Sequence, residues 1–382
     1  MEQHLAAALE AADARVRQGK VTPDFDGSAF AADLAGVDFD RPQPLEALCD
    51  WAIAQLEHGV VHMTHPRYLG LFNPAPSFAA QCADQIAAKL NPQLATATTS
   101  PTAVAMETHV IRAVAARAGL PAGAGGHFTS GGSEANGTAL ICALTRAAPQ
   151  FADAGSRAFP GPPVFYISKD SHLAWIKLAH MAGIGRSAAR LVATDAAGRM
   201  DLASLAAQIA SDRAEGCVPV MVVATAGTTN AGAIDPLAEC RDLASAEGAW
   251  FHVDAAWGGG LIASNRLRPL LAGIEHADSV TIDAHKWFAT TMGCGMLLAA
   301  DPTIFPATYD VRTSFMPSHE PARDPYLTTA QWSRRFVGLR LFLSLGSAGW
   351  AGHASHVERA VALAARLASG MVKRGWSVVN DP

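Results

Sequence analysis

The chain has no charged tract, no long apolar run and no cysteine pairing pattern, and each absence closes off a class of function. Only 16% of its 382 residues are charged, and 29 Lys and Arg against 34 Asp and Glu give a formal net charge of −5 with no polybasic run. Such a surface offers little to a nucleic-acid backbone or an anionic membrane, so small-molecule chemistry is expected instead. No apolar run reaches the roughly 18 residues of a spanning helix, so an integral membrane protein is not expected. Cys49, Cys82, Cys142, Cys217, Cys240 and Cys294 are scattered without C-x-x-C spacing, and no signal peptide precedes them. A disulfide framework or zinc ribbon is therefore not indicated, and the expected compartment is the reducing cytoplasm. The 14 histidines contain no H-E-x-x-H, and His172 and His180 are not four residues apart, so no metal site is expected. A nicotinamide-binding fold is disfavoured as well, since no G-x-G-x-x-G follows a strand.

What is present is apolar material and turn residues. With 50% hydrophobic residues the chain can bury one large core or two moderate ones. Residues 1 to about 90 read as alanine-rich helical segments broken by proline loops at Pro42-Gln43-Pro44 and Asn73-Pro74-Ala75-Pro76, without an independent core. Residues 91–345 alternate short Val-, Ile- and Phe-rich runs with helical stretches, which predicts an α/β domain around a mainly parallel sheet. The expected strands are Val164–Ser168, Val218–Thr225, Trp250–Asp254, Ser279–Ile282 and Cys294–Ala299, and the nearly unbroken apolar run Val218–Ala224 fits a strand buried on both faces. Ligands of such folds gather at the carboxyl ends of strands, where Thr225–Asn230, Asp254 and Lys286 fall. Residues 346–382 read as the start of a small C-terminal domain. There Val357–Lys373 has helical spacing, and Trp376–Val379 begins a strand just before the sequence ends at Pro382. A lone strand leaves its backbone unpaired, so truncation of a longer parent is expected.

Three features carry chemistry together. Lys286 follows a strand-like run and is flanked by Ile282 and Trp287-Phe288, where an unreacted ammonium is costly, so a Schiff-base lysine is the reading preferred over a surface lysine. Asp254 ends another run; a carboxylate there either partners a pyridine nitrogen, keeping it protonated as an electron sink, or simply caps the next turn. The turn Ser130-Gly131-Gly132-Ser133 opens a helix, and its N–H groups can cradle a phosphate, although Gly-Gly-Ser is also a generic helix start. Ala256 is small enough to lie under a planar ring, and Thr228 can add a donor or merely close its own turn. His172, where a strand gives way to a helix, can stack on a ring and reach the α-carbon of a substrate, or serve structure alone. Lysine, aspartate and phosphate turn together predict pyridoxal 5'-phosphate.

The strings TSGGSEANGTAL (129–140), DSHLAWIKLAHMAG (170–183), ATAGTTNAGAIDPL (224–237), FHVDAAWGG (251–259) and DAHKWF (283–288) resemble those of the group II pyridoxal-phosphate-dependent amino-acid decarboxylases. HPRYLGLFNP (65–74) and QWSRRFVGLRLF (331–342) extend the likeness over nearly the whole chain. The resemblance implies fold type I, the aspartate-aminotransferase-like arrangement, and a homodimer. It makes Lys286 the Schiff-base lysine, Asp254 the pyridinium partner, His172 the stacking histidine and Ala256 the floor of the ring site. Gly132, Ser133, Thr228 and His285 become the phosphate and cofactor shell, and Tyr309 resembles the mobile-loop tyrosine that returns a proton to the substrate carbon. The implied activity is decarboxylation of an L-amino acid to its amine. Aldehyde synthesis, carbon–carbon lysis or a catalytically impaired cofactor-binding subunit are the alternatives on the same scaffold. Two departures leave the substrate open. The small C-terminal domain's substrate-binding arginine has no counterpart, and Asn73-Pro74-Ala75-Pro76 stands where the aromatic-specific members have an Asn-Ser-Tyr-Pro-like stretch.

Overall fold

The computed structural model describes residues 1–71, 74–311 and 324–378, in two compact units, Met1–Ala75 and Pro76–Pro382. The first unit holds three helices, α1 (Glu2–Gln18), α2 (Gly27–Ala35) and α3 (Leu45–Gly59). The Asp26 side chain caps α2 by accepting from the N–H groups of Ser28 and Ala29, a favourable N-cap. Arg15 of α1 makes a two-pronged hydrogen bond to Glu57 of α3, at 2.8 and 3.0 Å. Among the residues of these three helices only Ala12 is buried.

The second unit starts at Pro76 rather than near residue 90, so α4 (Phe78–Leu90) belongs to it. Alanines explain this: α4 buries Ala80, Ala83 and Ala87 on one face, as residues three and four apart must. The chain continues through β1 (Gln93–Leu94), α5 (Pro101–Ala118), β2 (Gly125–Thr129), α6 (Gly132–Ala147), α7 (Phe151–Ala154), β3 (Pro163–Ser168) and α8 (Ala174–Met181). Then come β4 (Ala189–Val192), α9 (Leu202–Ala214), β5 (Val218–Thr225), α10 (Leu237–Ala246), β6 (Trp250–Asp254), β7 (Ser279–Asp283) and β8 (Gly295–Ala299). Last are α11 (Ile304–Tyr309), β9 (Arg334–Arg335), which pairs with β1, and α12 (Gly338–Val372), broken at Gly349 by a left-handed φ of 63°.

Seven strands form one sheet in the order β2-β8-β7-β6-β5-β3-β4, and β8 alone runs against its neighbours. The mainly parallel α/β expectation therefore holds. Helix α6 covers one face: Ala135, Ala139, Leu140, Ala143 and Leu144 pack with Phe165, Trp175, Met221 and Leu297 in the main core. Because β2, β3, β5, β6 and β7 run the same way, Thr129, Ser168, Thr225, Asp254 and Asp283 end at one edge. Gly295 starts β8 at that same edge, in register with both Thr129 and Asp283.

The expected strands are present with small shifts at their ends. β2 and β4 were not anticipated, since Gly125-Gly126 and the short Ala189–Val192 carry little strand signal. At the other end, Val357–Lys373 lies almost wholly within α12, but Trp376–Val378 is not strand. That expectation is corrected as far as Val378, and Val379 to Pro382 lie outside the described residues, as does Asn73.

Candidate active site

The carboxyl edge of the sheet collects most of the residues singled out in the sequence. After β2 the chain turns through Ser130-Gly131 into α6, whose first-turn N–H groups at Gly132 and Ser133 have no intrahelical acceptor. Two neighbours demand glycine here. A Cβ on Gly132 would stand 3.1 Å from both the Ala256 Cβ and Asp283 Oδ2, and one on Gly295 only 2.7 Å from the Gly131 Cα. The turn is thus pressed between β6, β7 and β8.

Asp254 closes β6 as a buried carboxylate with three donors. Asn136 Nδ2 lies 2.8 Å and Trp175 Nε1 3.2 Å from its Oδ2, and the Ala256 N–H is 3.2 Å from its Oδ1. Asp283 closes β7 and is also buried. Its Oδ2 lies 3.1 Å from Lys286 Nζ and 3.7 Å from His285 Nε2, while its Oδ1 has no hydrogen-bond partner among the described residues. Burial pushes the Asp283 carboxyl up from its ordinary range, and the Lys286 amine, with His285 beside it, pulls it part-way back. The Asp283 N–H donates to the Ala256 carbonyl at 3.1 Å, and His285 Nδ1 is 3.1 Å from the Cys294 carbonyl. Gly132, Asp254, Ala256, His285 and Lys286 are therefore one constellation around Asp283. Ser133 is exposed at its rim.

Three other residues fall differently. His172 sits exposed before α8, and its Nδ1 accepts the Ala174 N–H at 3.2 Å, which leaves the proton of a neutral ring on Nε2. Thr228 is buried, and its hydroxyl oxygen accepts the Ala233 N–H at 3.1 Å within its own turn, which leaves its O–H proton free to donate to a ligand. Tyr309 departs from the loop position expected of it. It ends α11 and packs against the main core beside Thr138 and Cys142 of α6, and burial pushes its phenol up.

With this geometry in hand, comparison with known proteins is decisive. Residues 37–379 match the family described as the pyridoxal-dependent decarboxylase conserved domain. The chain belongs to this family. L-2,4-diaminobutyrate decarboxylase of Rhizobium meliloti is 38% identical over 306 residues, 78% of this chain and 60% of that relative. Cysteine sulfinic acid decarboxylase of Mus musculus is 34% identical over 331 residues, 85% of this chain and 67% of that one. The chain thus spans about three fifths to two thirds of the length of these relatives. A crystal structure of mouse CSAD in apo form aligns with all of this chain and 80% of its own at a TM-score of 0.93 and 30% identity.

The cofactor that goes with the family is pyridoxal phosphate, and the residues present fit it. A glycine-lined helix start suits its phosphate, a hydrogen-bonded carboxylate its ring nitrogen, and the Lys286 amine its aldehyde. Sequence reasoning passed over Asp283, Asn136 and Trp175. Signals existed for two of them: Asp283 precedes Lys286 by one turn, and Asn136 follows Gly132 by one helical turn. Trp175 had none, because its indole reaches Asp254 from a different strand's crossover helix.

Proposed function

We propose that this chain is the cofactor-binding part of an L-amino-acid decarboxylase, releasing carbon dioxide and the amine. One observation carries the reading: Lys286 and Asp254, 32 residues apart along the chain, are joined at one sheet edge through Asp283, Ala256 and the glycine turn. When bound, pyridoxal phosphate supplies the electron sink for the pair left behind as the carboxylate departs. The chain's own groups supply the rest. Lys286 is assigned as the covalent anchor, and Asp283 gives its amine a fixed carboxylate neighbour whenever that amine is not bonded to cofactor. Asp254 is assigned to the ring nitrogen, with Ala256 below the ring. Gly132 and Ser133 N–H groups, with Thr228 and His285 around them, are assigned to the phosphate end. His172 Nε2–H is assigned as the donor that returns a proton to the α-carbon, since Tyr309 packs into the α6 side of the core rather than standing on a loop.

The dimeric state and the compartment belong to the same proposal. The resemblance supports a homodimer, and six free cysteines support the reducing cytoplasm. For the substrate, the named relatives act on diaminobutyrate, a cation at its side chain, and on cysteine sulfinate, an anion there. The test must therefore sample both charges. Carbon dioxide release should be screened across the common amino acids, diaminobutyrate, cysteine sulfinate and dihydroxyphenylalanine, with product analysis and Lys286→Ala as control. Amine in step with carbon dioxide supports the proposal. Aldehyde with ammonia and peroxide replaces decarboxylation by aldehyde synthesis, and cofactor bound without turnover of any substrate leaves a binding subunit.

A further inference from the structure

Behind Asp254, away from the turn, lies a row of polar side chains in an otherwise apolar core. Trp250 Nε1 lies 2.7 Å from Ser279 Oγ, and Ser279 Oγ lies 2.8 Å from His252 Nδ1. His252 Nε2 is 3.1 Å from Asn136 Oδ1, and Asn136 Nδ2 reaches Asp254 Oδ2 at 2.8 Å. Trp250, Ser279, His252, Asn136 and Asp254 are all buried, His252 completely. Buried polar groups are costly unless every one is satisfied, so the row calls for an explanation beyond packing.

The two ends set the direction of every hydrogen bond between them. An indole N–H can only donate and a carboxylate can only accept. From the carboxylate end, Asp254 takes the Asn136 NH₂, Asn136 Oδ1 takes the His252 Nε2–H, and Nδ1 of the neutral ring is left to accept the Ser279 O–H, whose oxygen accepts from Trp250. The Asn136 amide must then present its NH₂ to Asp254, since the flipped amide would set oxygen against oxygen and nitrogen against N–H. Thr281 Oγ1, 3.4 Å from His252 Nε2, is a second acceptor on the same side. Burial lowers His252 to about 4, so the ring stays neutral and the direction does not reverse near neutral pH.

We infer that Asn136 and His252 are positioning residues of the proposed reaction, holding the Asp254 carboxylate at one orientation through a one-way hydrogen-bond chain anchored on Trp250. This rests on the assignment of Asp254 to the cofactor ring nitrogen. The chain also ties α6, which carries the phosphate turn, to β6, which carries Asp254, so the two ends of the cofactor site share one support.

The first measurement is on the cofactor-free protein. Nitrogen-15 spectra of labelled histidine should show His252 as the neutral Nε2–H tautomer, unchanged from pH 6 to 8; an Nδ1–H tautomer, or titration in that range, overturns the inference. The second is pyridoxal phosphate affinity in Asn136→Leu and His252→Leu, each checked for folding by circular dichroism. A loss of about 10- to 100-fold is expected, the range typical when the outer partner of a ligating group is removed. His252→Gln, whose amide can still donate toward Asn136, should recover most of that loss. In an Asp254→Asn background the leucine substitutions should add little, because the group they position is already gone. If Asp254→Asn weakens binding but the leucine variants match the parent, or their effects simply add to it, the inference fails while the reading of Asp254 stands. If Asp254→Asn itself binds cofactor like the parent, the reading of Asp254 fails, whatever the tautomer spectra show. Should a leucine variant not fold, the tautomer measurement on the parent decides.

Discussion

At the scale of single residues Lys286, the proposed anchor, is held 3.1 Å from a buried carboxylate whose second oxygen has no hydrogen-bond partner among the described residues. Removing the amine should remove covalent capture. Lys286→Ala reconstituted with pyridoxal phosphate should lack the visible absorbance of lysine-bound cofactor and take up no label on borohydride reduction; persistent colour with label on another lysine would reassign the anchor. His127 gives a residue-scale prediction independent of the site. It is buried beside Phe305, and desolvation with the nearby Arg334 cation lowers it to about 3 from an ordinary 6.5. Between those values the unfolded chain binds a proton that the folded chain refuses, so this group's contribution is full above pH 6.5 and is lost as pH falls towards 3. From pH 7 to pH 5 the loss is about 2 kcal/mol. Urea unfolding of His127→Gln at the two pH values should show a pH dependence flatter than the parent's by that amount, and equal slopes would mean that His127 titrates normally.

Among elements, the glycine turn and β8 depend on each other. Gly295 begins β8, the strand of the seven-stranded sheet that runs against its neighbours, where its backbone meets the turn, and a Cβ there would stand 2.7 Å from Gly131 Cα, Gly131 C and Thr129 Oγ1. Backbone cannot swing aside as a side chain can. Gly295→Ala should therefore cost roughly 1–3 kcal/mol in thermal unfolding, the usual range for overpacking. It should also weaken pyridoxal phosphate binding, because the first turn of α6 is displaced. A parental melting temperature with parental affinity would show that the turn has slack. The motif TSGGSEANGTAL marks this turn in the sequence, but its partner strand β8 lies well over a hundred residues downstream, and no local pattern announces that Gly295 must meet Gly131.

For the larger unit as a whole, one cation joins distant parts of the chain. Arg340 of α12 donates to Asp84 of α4 at 2.8 Å and to the carbonyls of Met292 and Gly293 at 2.9 and 3.0 Å, and its side chain is almost fully buried. Taking the arginine away leaves the two carbonyls without their donor and Asp84 with only the more distant Arg335 cation, at 3.5 Å, and the Thr291 hydroxyl. Arg340→Leu is expected to cost about 3 kcal/mol, read as a lower urea midpoint with unchanged slope. A shift within a few tenths of a kcal/mol would make the arginine a bystander. No helix of the described residues is long and apolar enough to cross a membrane.

By itself the sequence determined the parallel α/β class, the strands β3 and β5 to β8, and the places of Asp254 at a strand end, Lys286 just after one and the glycine turn at a helix start. Each of these is written locally, as an apolar run, a strand-end residue or a turn dipeptide. Tertiary structure alone decided what surrounds them. Asp283 meets Gly132 and Ala256 only when β7 packs beside β6. Asn136, His252, Ser279 and Trp250 become a directed chain only when α6 packs on β6 and β7. Tyr309 passes from expected loop to helix end because α11 docks its ring on α6. A hydrogen bond or an excluded Cβ depends on two groups meeting in space, and residues far apart along the chain carry no local mark of the partner they will meet.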